Sequence, residues 1–254
     1  MVELSPIRVD AERARAFVLA HGAARDVARL EGIMGSAGPA REVVREIEGL
    51  QGADGGFPGG IDVTCYVLHQ LKDMPPLSGS PMASRAVAYL RRVQQTDGSW
   101  AETNPVYGWQ TPPYLTAVAT YSILMSEPDH TDPINRGATW LRRFLGSADP
   151  ATVPVQTLAL AWAVFYKLLG PEANETVWAF QAVTAREMDA SERAWALACA
   201  LELAAGGRFA LPIVGQLAAL AAQQGADGAW PAEPGFALEA TLTALRVFRG
   251  YGII

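Results

Sequence analysis

Hydrophobic and polar positions form two kinds of helical pattern along the chain. In one, apolar residues occupy one face and arginines the other, as in Arg41–Leu50, Met82–Gln95 and Ile134–Leu145. Such a one-sided stripe is typical of a helix at the surface of a protein. In the other kind the segment is apolar nearly all round, which predicts a helix that is buried on every side. These apolar segments are Tyr114–Met125, Val155–Tyr166, Ala194–Leu201 and Phe236–Leu245.

The two kinds of helix alternate along the chain, which predicts an all-α fold. With one further helix expected within Asp10–Met34, we count about 11 or 12 helices. An inner apolar ring and an outer amphipathic ring are what an α/α toroid (barrel) of about five to six helical hairpins requires. An open solenoid uses the same pairs but exposes its apolar helices. We therefore expect residues 1–254 to form a single α/α toroid domain.

Three segments of the chain repeat one short motif: Gln, then Asp-Gly, then one residue, then an aromatic. They are Leu50–Pro58, Val93–Ala101 and Ala222–Pro231. Asp54 and Asp97 are 43 residues apart, and Asp227 lies 130 residues further on, close to three such intervals. Two degenerate copies are therefore expected in between, near residues 146–154 and 186–191.

The chemistry of the repeated motif predicts a structural loop. We expect the Asp to accept backbone N–H groups and the Gly to take a positive-φ turn, while the aromatic packs on the next repeat. The motif thus indicates architecture and supplies no catalytic group.

Composition narrows the function classes. Half of the 254 residues are apolar, 18% are charged and the net charge is −6, which argues against nucleic acid or an anionic membrane as partner. Cys65 and Cys199 alone make neither a disulfide scaffold nor a four-thiolate zinc site. The N-terminus shows no secretory pattern, and the most apolar stretch, Val155–Leu169, contains Lys167 and is short for a membrane span. We expect a cytoplasmic protein without a transmembrane segment.

The repeats Gln94–Trp100 (QQTDGSW), Gln224–Trp230 (QGADGAW) and Gln51–Phe57 (QGADGGF) resemble those of a known superfamily. It contains the squalene–hopene cyclases, the class II terpene cyclases and the β-subunits of protein prenyltransferases. The resemblance implies an α/α toroid whose apolar central chamber receives an isoprenoid chain. Because the chain is much shorter than a two-domain cyclase, it resembles a single-barrel member.

Asp62 is the first candidate catalytic residue. The cyclases protonate their substrate from a motif Asp-x-Asp-Asp-Thr-Ala, and the nearest match here is Gly60–Cys65 (GIDVTC). Aligning on Thr64 places Asp62 at the central Asp, which the resemblance implies is the general acid. Gly60 and Val63 replace the two flanking acids. The alternative is that Asp62 caps the N-terminus of its helix.

Glu239 is the second candidate catalytic residue, because it interrupts the apolar segment Phe236–Leu245. In a closed ring this helix lies near the first repeats, so Asp62 and Glu239 would share acid and base work. The alternative is an ion pair of Glu239 with Arg246 or another basic residue.

Aromatic residues on the inner helices and in the long loop 104–113 are candidates for the lining of the chamber, where their faces would stabilise a carbocation. The alternative for each is core packing. The predicted substrate-binding residues are Tyr107, Trp109, Tyr114, Trp162, Tyr166, Trp195 and Phe236.

These patterns predict a terpene cyclase-like enzyme that acts on a small hydrophobic, isoprenoid-type substrate by acid-initiated cyclisation or isomerisation, without cofactor or metal. One alternative is a toroid that binds a hydrophobic ligand without turnover. A second is a zinc-dependent prenyltransferase-like enzyme, because Asp62–Tyr66 resembles the Asp-x-Cys-Tyr zinc motif of that branch. Against it, this stretch has one residue too many, and His21, His69 and His130 lie outside matching inner-helix positions. A carboxylate-pair enzyme acting on sugars is disfavoured by the apolar inner helices. The oligomeric state is left open.

Overall fold

The computed structural model describes residues 7–35, 38–105, 108–204 and 209–254. Over these residues the chain forms thirteen α-helices, one short 3-10 turn and no β-strand, which confirms the all-α prediction. None of the described helices is both long and apolar enough to cross a bilayer. The helices are α1 (Ala11–His21), α2 (Ala24–Ile33), α3 (Arg41–Leu50), α4 (Gly60–Lys72), α5 (Pro75–Ser78), α6 (Pro81–Arg92), α7 (Pro112–Ser126), α8 (Thr131–Ser147), α9 (Val155–Leu169), α10 (Asn174–Thr184), α11 (Ala190–Glu202), α12 (Ala210–Ala222) and α13 (Ala237–Gly250).

The helices are arranged in two compact units. The central unit comprises Ala40–Ala182, and the terminal unit joins Met1–Pro39 to Val183–Ile254. In the central unit α7 packs against α4, α6, α8 and α9; every residue from Leu115 to Leu124 is buried. In the terminal unit α13 packs against α1, α2 and α11. The nearly all-apolar segments are therefore largely buried helices, as predicted, although Phe236–Leu245 is buried only from Ala240 onward.

The N-terminal region departs from the sequence prediction, because the one helix expected within Asp10–Met34 is two. Gly22 ends α1 by donating its N–H to Val18 O at 2.8 Å, and Ala23 is extended. A Cβ on Gly22 would lie 2.7 Å from Val18 O, so the tight end of α1 needs this glycine. The break lets α2 fold back and pack on α1.

The three repeat loops, loop 1 (Gln51–Phe57), loop 2 (Gln94–Trp100) and loop 3 (Gln224–Trp230), have the same internal structure. In each, the Asp Oδ1 accepts the N–H of the residue two further on, at 3.1, 2.9 and 3.1 Å respectively. The Ser99 N–H and hydroxyl hold the pKa of Asp97 below its ordinary value. Gly55, Gly98 and Gly228 have φ of +89°, +94° and +91°. The roles predicted for Asp and Gly are confirmed.

The loop glutamines tie each loop to an outer helix. Gln51 Nε2 donates to Met82 O in α6, Gln94 Nε2 to Pro133 O in α8, and Gln224 Nε2 to Asp10 O just before α1, each at 3.0 Å. For loops 1 and 2 the partner is the next outer helix along the chain. For loop 3 the partner is the residue before α1.

The loop aromatics tie each loop to the inner helix that follows it. The N–H groups of Phe57, Trp100 and Trp230 donate to the hydroxyls of Thr64, Thr116 and Thr241 at 3.0, 3.0 and 3.1 Å. Each threonine is the fifth residue of its helix. Since these bonds are buried, each helix is held in one register against its loop.

The backbone of α1 leaves no room for a side chain at position 228, which yields a stability prediction. We expect Gly228→Ala to lower the free energy of unfolding by more than about 2 kcal/mol, because alanine is strained at this positive φ and its Cβ would lie 2.4 Å from the Arg13 carbonyl carbon. The matched control is Gly215→Ala in α12, where no atom lies within 4 Å of the new Cβ. It should raise stability by about 0.5–1 kcal/mol. Equal effects in urea unfolding would contradict the packing of loop 3 on α1.

Candidate functional site

The repeat threonines define an equivalent position on three inner helices. Two residues before Thr64, Thr116 and Thr241 stand Asp62, Tyr114 and Glu239, each the third residue of its helix. Because each threonine is bonded to its loop, these side chains project from the same place in the first helical turn. Both candidate catalytic acids and one candidate aromatic thus occupy the same position of the repeat.

Asp62 is held by two aromatic donors within the central unit. Its Oδ1 accepts the hydroxyl hydrogen of Tyr114 at 2.9 Å, and its Oδ2 accepts the indole N–H of Trp109 at 3.2 Å. Three predicted site residues are therefore brought together at the N-terminal ends of α4 and α7. The alternative role of Asp62 as a helix cap is wrong: the N-cap of α4 is Gly59, and both Asp62 oxygens face the aromatic donors.

Glu102 caps α4 instead, and sequence reasoning missed it. Its Oε1 accepts the N–H of Ile61, one of the N–H groups that a helix start leaves without a partner. A Cβ on Gly60 would lie 2.2 Å from this oxygen, so the glycine makes room for the carboxylate. The helix dipole also favours a negative charge there. The only signal in the sequence was an acid two residues after the loop tryptophan.

The Tyr114 hydroxyl is a persistent hydrogen-bond donor. Burial raises the pKa of Tyr114 well above its ordinary value, and both the charge of Asp62 and the hydrogen bond to it raise it further. The phenol therefore stays protonated at neutral pH. It is a neutral partner for Asp62, unlike an arginine or lysine.

Further along α4 from Asp62, buried polar side chains of α4 and α7 contact one another. Burial raises the pKa of the Cys65 thiol, with smaller contributions from the charges of Asp62 and Glu102, while a hydrogen bond with Ser122 opposes the rise. Ser122 Oγ also lies 3.2 Å from His69 Nε2. His69 lies in α4 itself, on the same helix as Asp62 and Cys65. A protonated thiol is a poor nucleophile. The described residues contain no group of three or more His, Cys, Asp or Glu that could hold a metal ion.

Glu239 is engaged by a cation within the terminal unit. Arg29 donates to both of its carboxylate oxygens, at 2.5 and 2.9 Å, and the Arg29 side chain is only 3% exposed. This is the ion pair that the sequence left as an alternative, with Arg29 of α2 as the partner. Arg246 binds Glu202. Such a two-point pair holds Glu239 as a carboxylate.

The remaining predicted substrate-binding residues have varied surroundings. Trp162 of α9 is buried, with its ring 5.1 Å from Phe180 and 6.2 Å from Tyr166. Trp195 of α11 is half-buried, whereas Phe236, just before α13, is exposed. Tyr107 lies outside the described residues. A role of these side chains in substrate binding stays a prediction.

No model of a known protein family matches the chain, and no curated protein matches it either.

The Arg29–Glu239 pair yields a second stability prediction. Arg29→Met should lower the free energy of unfolding by about 3–5 kcal/mol, because it leaves the partly buried Glu239 carboxylate without its cation. The double variant Arg29→Met/Glu239→Leu should regain most of that loss, since an apolar pair needs no compensation. As a control, Arg142→Met breaks a half-exposed pair with Glu175 and should cost less than about 1 kcal/mol. Similar losses for Arg29→Met and Arg142→Met in urea unfolding would contradict the buried character of the pair.

The raised pKa of Tyr114 predicts how the free energy of unfolding changes with pH. Because its pKa is raised in the folded state, the unfolded chain loses this proton first, so stability falls as pH rises above the ordinary tyrosine value of about 10. The loss continues until the pH passes the folded-state pKa. Tyr114→Phe removes this contribution, so its unfolding free energy should fall less steeply between about pH 9 and pH 11 than that of the wild type. Tyr89 and Tyr251, whose pKa values are also raised, titrate equally in both proteins. Parallel curves would refute the Tyr114 contribution.

Proposed function

We propose that the chain is a terpene cyclase-like enzyme in which Asp62 protonates a hydrophobic, isoprenoid-type substrate. The observation that carries the proposal is the pair of neutral donors on Asp62. An acid must be able to hold a proton before it gives one up. Neutral donors allow that, whereas the arginine on Glu239 favours the ionised form.

The same donors support the step that follows protonation. As the Asp62 O–H bond breaks, the π electrons of a substrate double bond form the new C–H bond, and the neighbouring carbon becomes a cation. The carboxylate left behind receives the hydrogen bonds of Tyr114 and Trp109, which stabilise it. After cyclisation or directly, a water molecule takes a proton from the carbon next to the cation, and the electrons of that C–H bond form a new double bond. Solvent then returns a proton to Asp62.

The proposal keeps the predicted α/α toroid with an apolar chamber as its framework. Its support is loop 3, which binds α1 as loops 1 and 2 bind the next outer helix. The aromatic side chains of the central unit would then shield the cation.

A second candidate function is retention of a hydrophobic ligand without turnover. Both oxygens of Asp62 are already engaged by hydrogen-bond donors, and Glu239 is paired with Arg29. A protein whose candidate acids are both engaged in this way would bind a hydrophobic ligand without protonating it.

Turnover in deuterium oxide distinguishes the two functions. The protein is incubated with squalene, farnesol or geranylgeraniol, and the extracted products are analysed by mass spectrometry. An Asp62-initiated reaction places one solvent deuterium on product carbon, and Asp62→Asn should lower product formation at least about a hundredfold. Asp132→Asn, which removes an exposed carboxylate of α8, is the control and should retain activity.

Full activity of the folded Asp62→Asn protein, or product without deuterium, would overturn the acid mechanism. Ligand that co-purifies unchanged with both wild type and variant would establish the second candidate instead.

A further inference from the structure

The two oxygens of Asp62 have different surroundings. Oδ1 accepts the Tyr114 hydroxyl at 2.9 Å in a partly buried contact, whereas Oδ2 accepts the Trp109 N–H at 3.2 Å in an exposed one. Trp109 is itself 40% exposed. The Oδ1 contact is therefore the stronger and better shielded of the two.

The Tyr114 contact survives protonation of Asp62. A phenol donates to a carboxylate oxygen and, more weakly, also to the carbonyl oxygen of a neutral carboxyl group. The raised pKa of Tyr114 means that its hydroxyl keeps its hydrogen throughout. Since Oδ1 already accepts this hydrogen, the proton of a neutral Asp62 lies on Oδ2.

The Trp109 contact, by contrast, depends on the state of Asp62. An indole N–H is only a donor, and it binds a carboxylate oxygen more strongly than a hydroxyl oxygen. Trp109 is thus drawn to Oδ2 when Asp62 is ionised and held more weakly when Oδ2 carries a proton.

We propose that Tyr114 is a positioning residue that anchors Asp62 through Oδ1, and that Oδ2 is the oxygen that carries the proton to the substrate. This inference rests on the proposed function. In the reaction the Oδ2–H bond breaks and the substrate π electrons take the proton. The new charge on Oδ2 then gains the Trp109 N–H, while Tyr114 keeps the carboxylate from rotating.

Other titratable groups of the central unit do not replace Tyr114 and Trp109 as donors. The charge of Asp62 contributes to the raised pKa of Cys65 on α4, and both Cys65 and Tyr89 on α6 stay protonated at neutral pH. Glu102 binds the Ile61 N–H. None of them donates to Asp62, so Tyr114 and Trp109 are its partners among the residues that the structure describes.

Steady-state kinetics test the anchoring role, with whichever of squalene, farnesol and geranylgeraniol is turned over. Tyr114→Phe keeps the ring and removes the anchor, so kcat should fall about tenfold or more while KM is unchanged. Tyr89→Phe removes a hydroxyl from another partly buried tyrosine of the central unit and should leave both constants unchanged. An unchanged kcat for Tyr114→Phe, or a rise in KM alone, would overturn the role.

Fluorine NMR tests, without any substrate, whether Tyr114 binds Oδ1 of Asp62 and Trp109 binds Oδ2. In protein labelled with fluorotryptophan, the Trp109 signal is assigned by its absence in Trp109→Phe. It should shift on acid titration of the wild type and stay constant in Asp62→Asn. In Tyr114→Phe it should broaden or double, because a free carboxylate presents either oxygen to the indole. A signal that titrates alike in wild type and Asp62→Asn, or is unaltered in Tyr114→Phe, would refute the assignment.

The two measurements separate failure of this inference from failure of the proposed function. If no isoprenoid is turned over, the proposed function fails, and the fluorine titration alone decides whether Tyr114 anchors Oδ1. If turnover depends on Asp62 but not on Tyr114, the proposed function stands and the inference is wrong.

Discussion

The buried hydrogen bond from each loop aromatic to a helix threonine is the contact on which the site depends. Trp100 N–H to Thr116 and Trp230 N–H to Thr241 are equivalent in position and length, and Phe57 N–H to Thr64 repeats them. A buried N–H without a partner costs about 1–3 kcal/mol, so a helix that slid along its axis would lose this bond. The bond therefore determines the register of the first helical turn. The residue two positions before the threonine is placed as a consequence, whatever its chemistry.

Loop 3 and α1 depend on each other, although they are far apart in sequence. Loop 3 needs an outer helix to receive its glutamine and to pack against Gly228, and α1 meets both needs. Asp10 also returns a bond, from its N–H to Gln224 Oε1 at 2.9 Å. The bonds between loop 3 and the start of α1 thus join residues 214 positions apart in sequence. A contact of this range forms only after a large loss of chain entropy, so its bonds have to be made together.

Local patterns predicted local structure well and distant partners poorly. The bounds of α3 and the geometry of the three loops followed from periodicity and from the chemistry of Asp-Gly turns. Asp62 was identified from its place before Thr64, but its partner Tyr114 is 52 residues away and was expected to contact substrate instead. Arg29 lies 210 residues from Glu239, and no periodicity connects them. Glu102 was missed because a helix cap supplied by another segment leaves no mark in the helix that it caps.

Asp62 and Glu239 occupy the same position of the repeat on two helices, but their electrostatic surroundings differ. The surroundings of Glu239 favour a stabilising ion pair, whereas those of Asp62 suit a group that exchanges a proton. At Glu239 a buried arginine compensates the charge, so the carboxylate stabilises the terminal unit only in its ionised form. At Asp62 the compensation comes from a phenol and an indole, neither of which carries a charge. A neutral donor stabilises a carboxylate less than a cationic side chain does. When the carboxylate takes up a proton, less interaction energy is therefore lost with a neutral donor than with a cation. A carboxyl group that must cycle between its two forms is therefore better served by the surroundings of Asp62 than by those of Glu239.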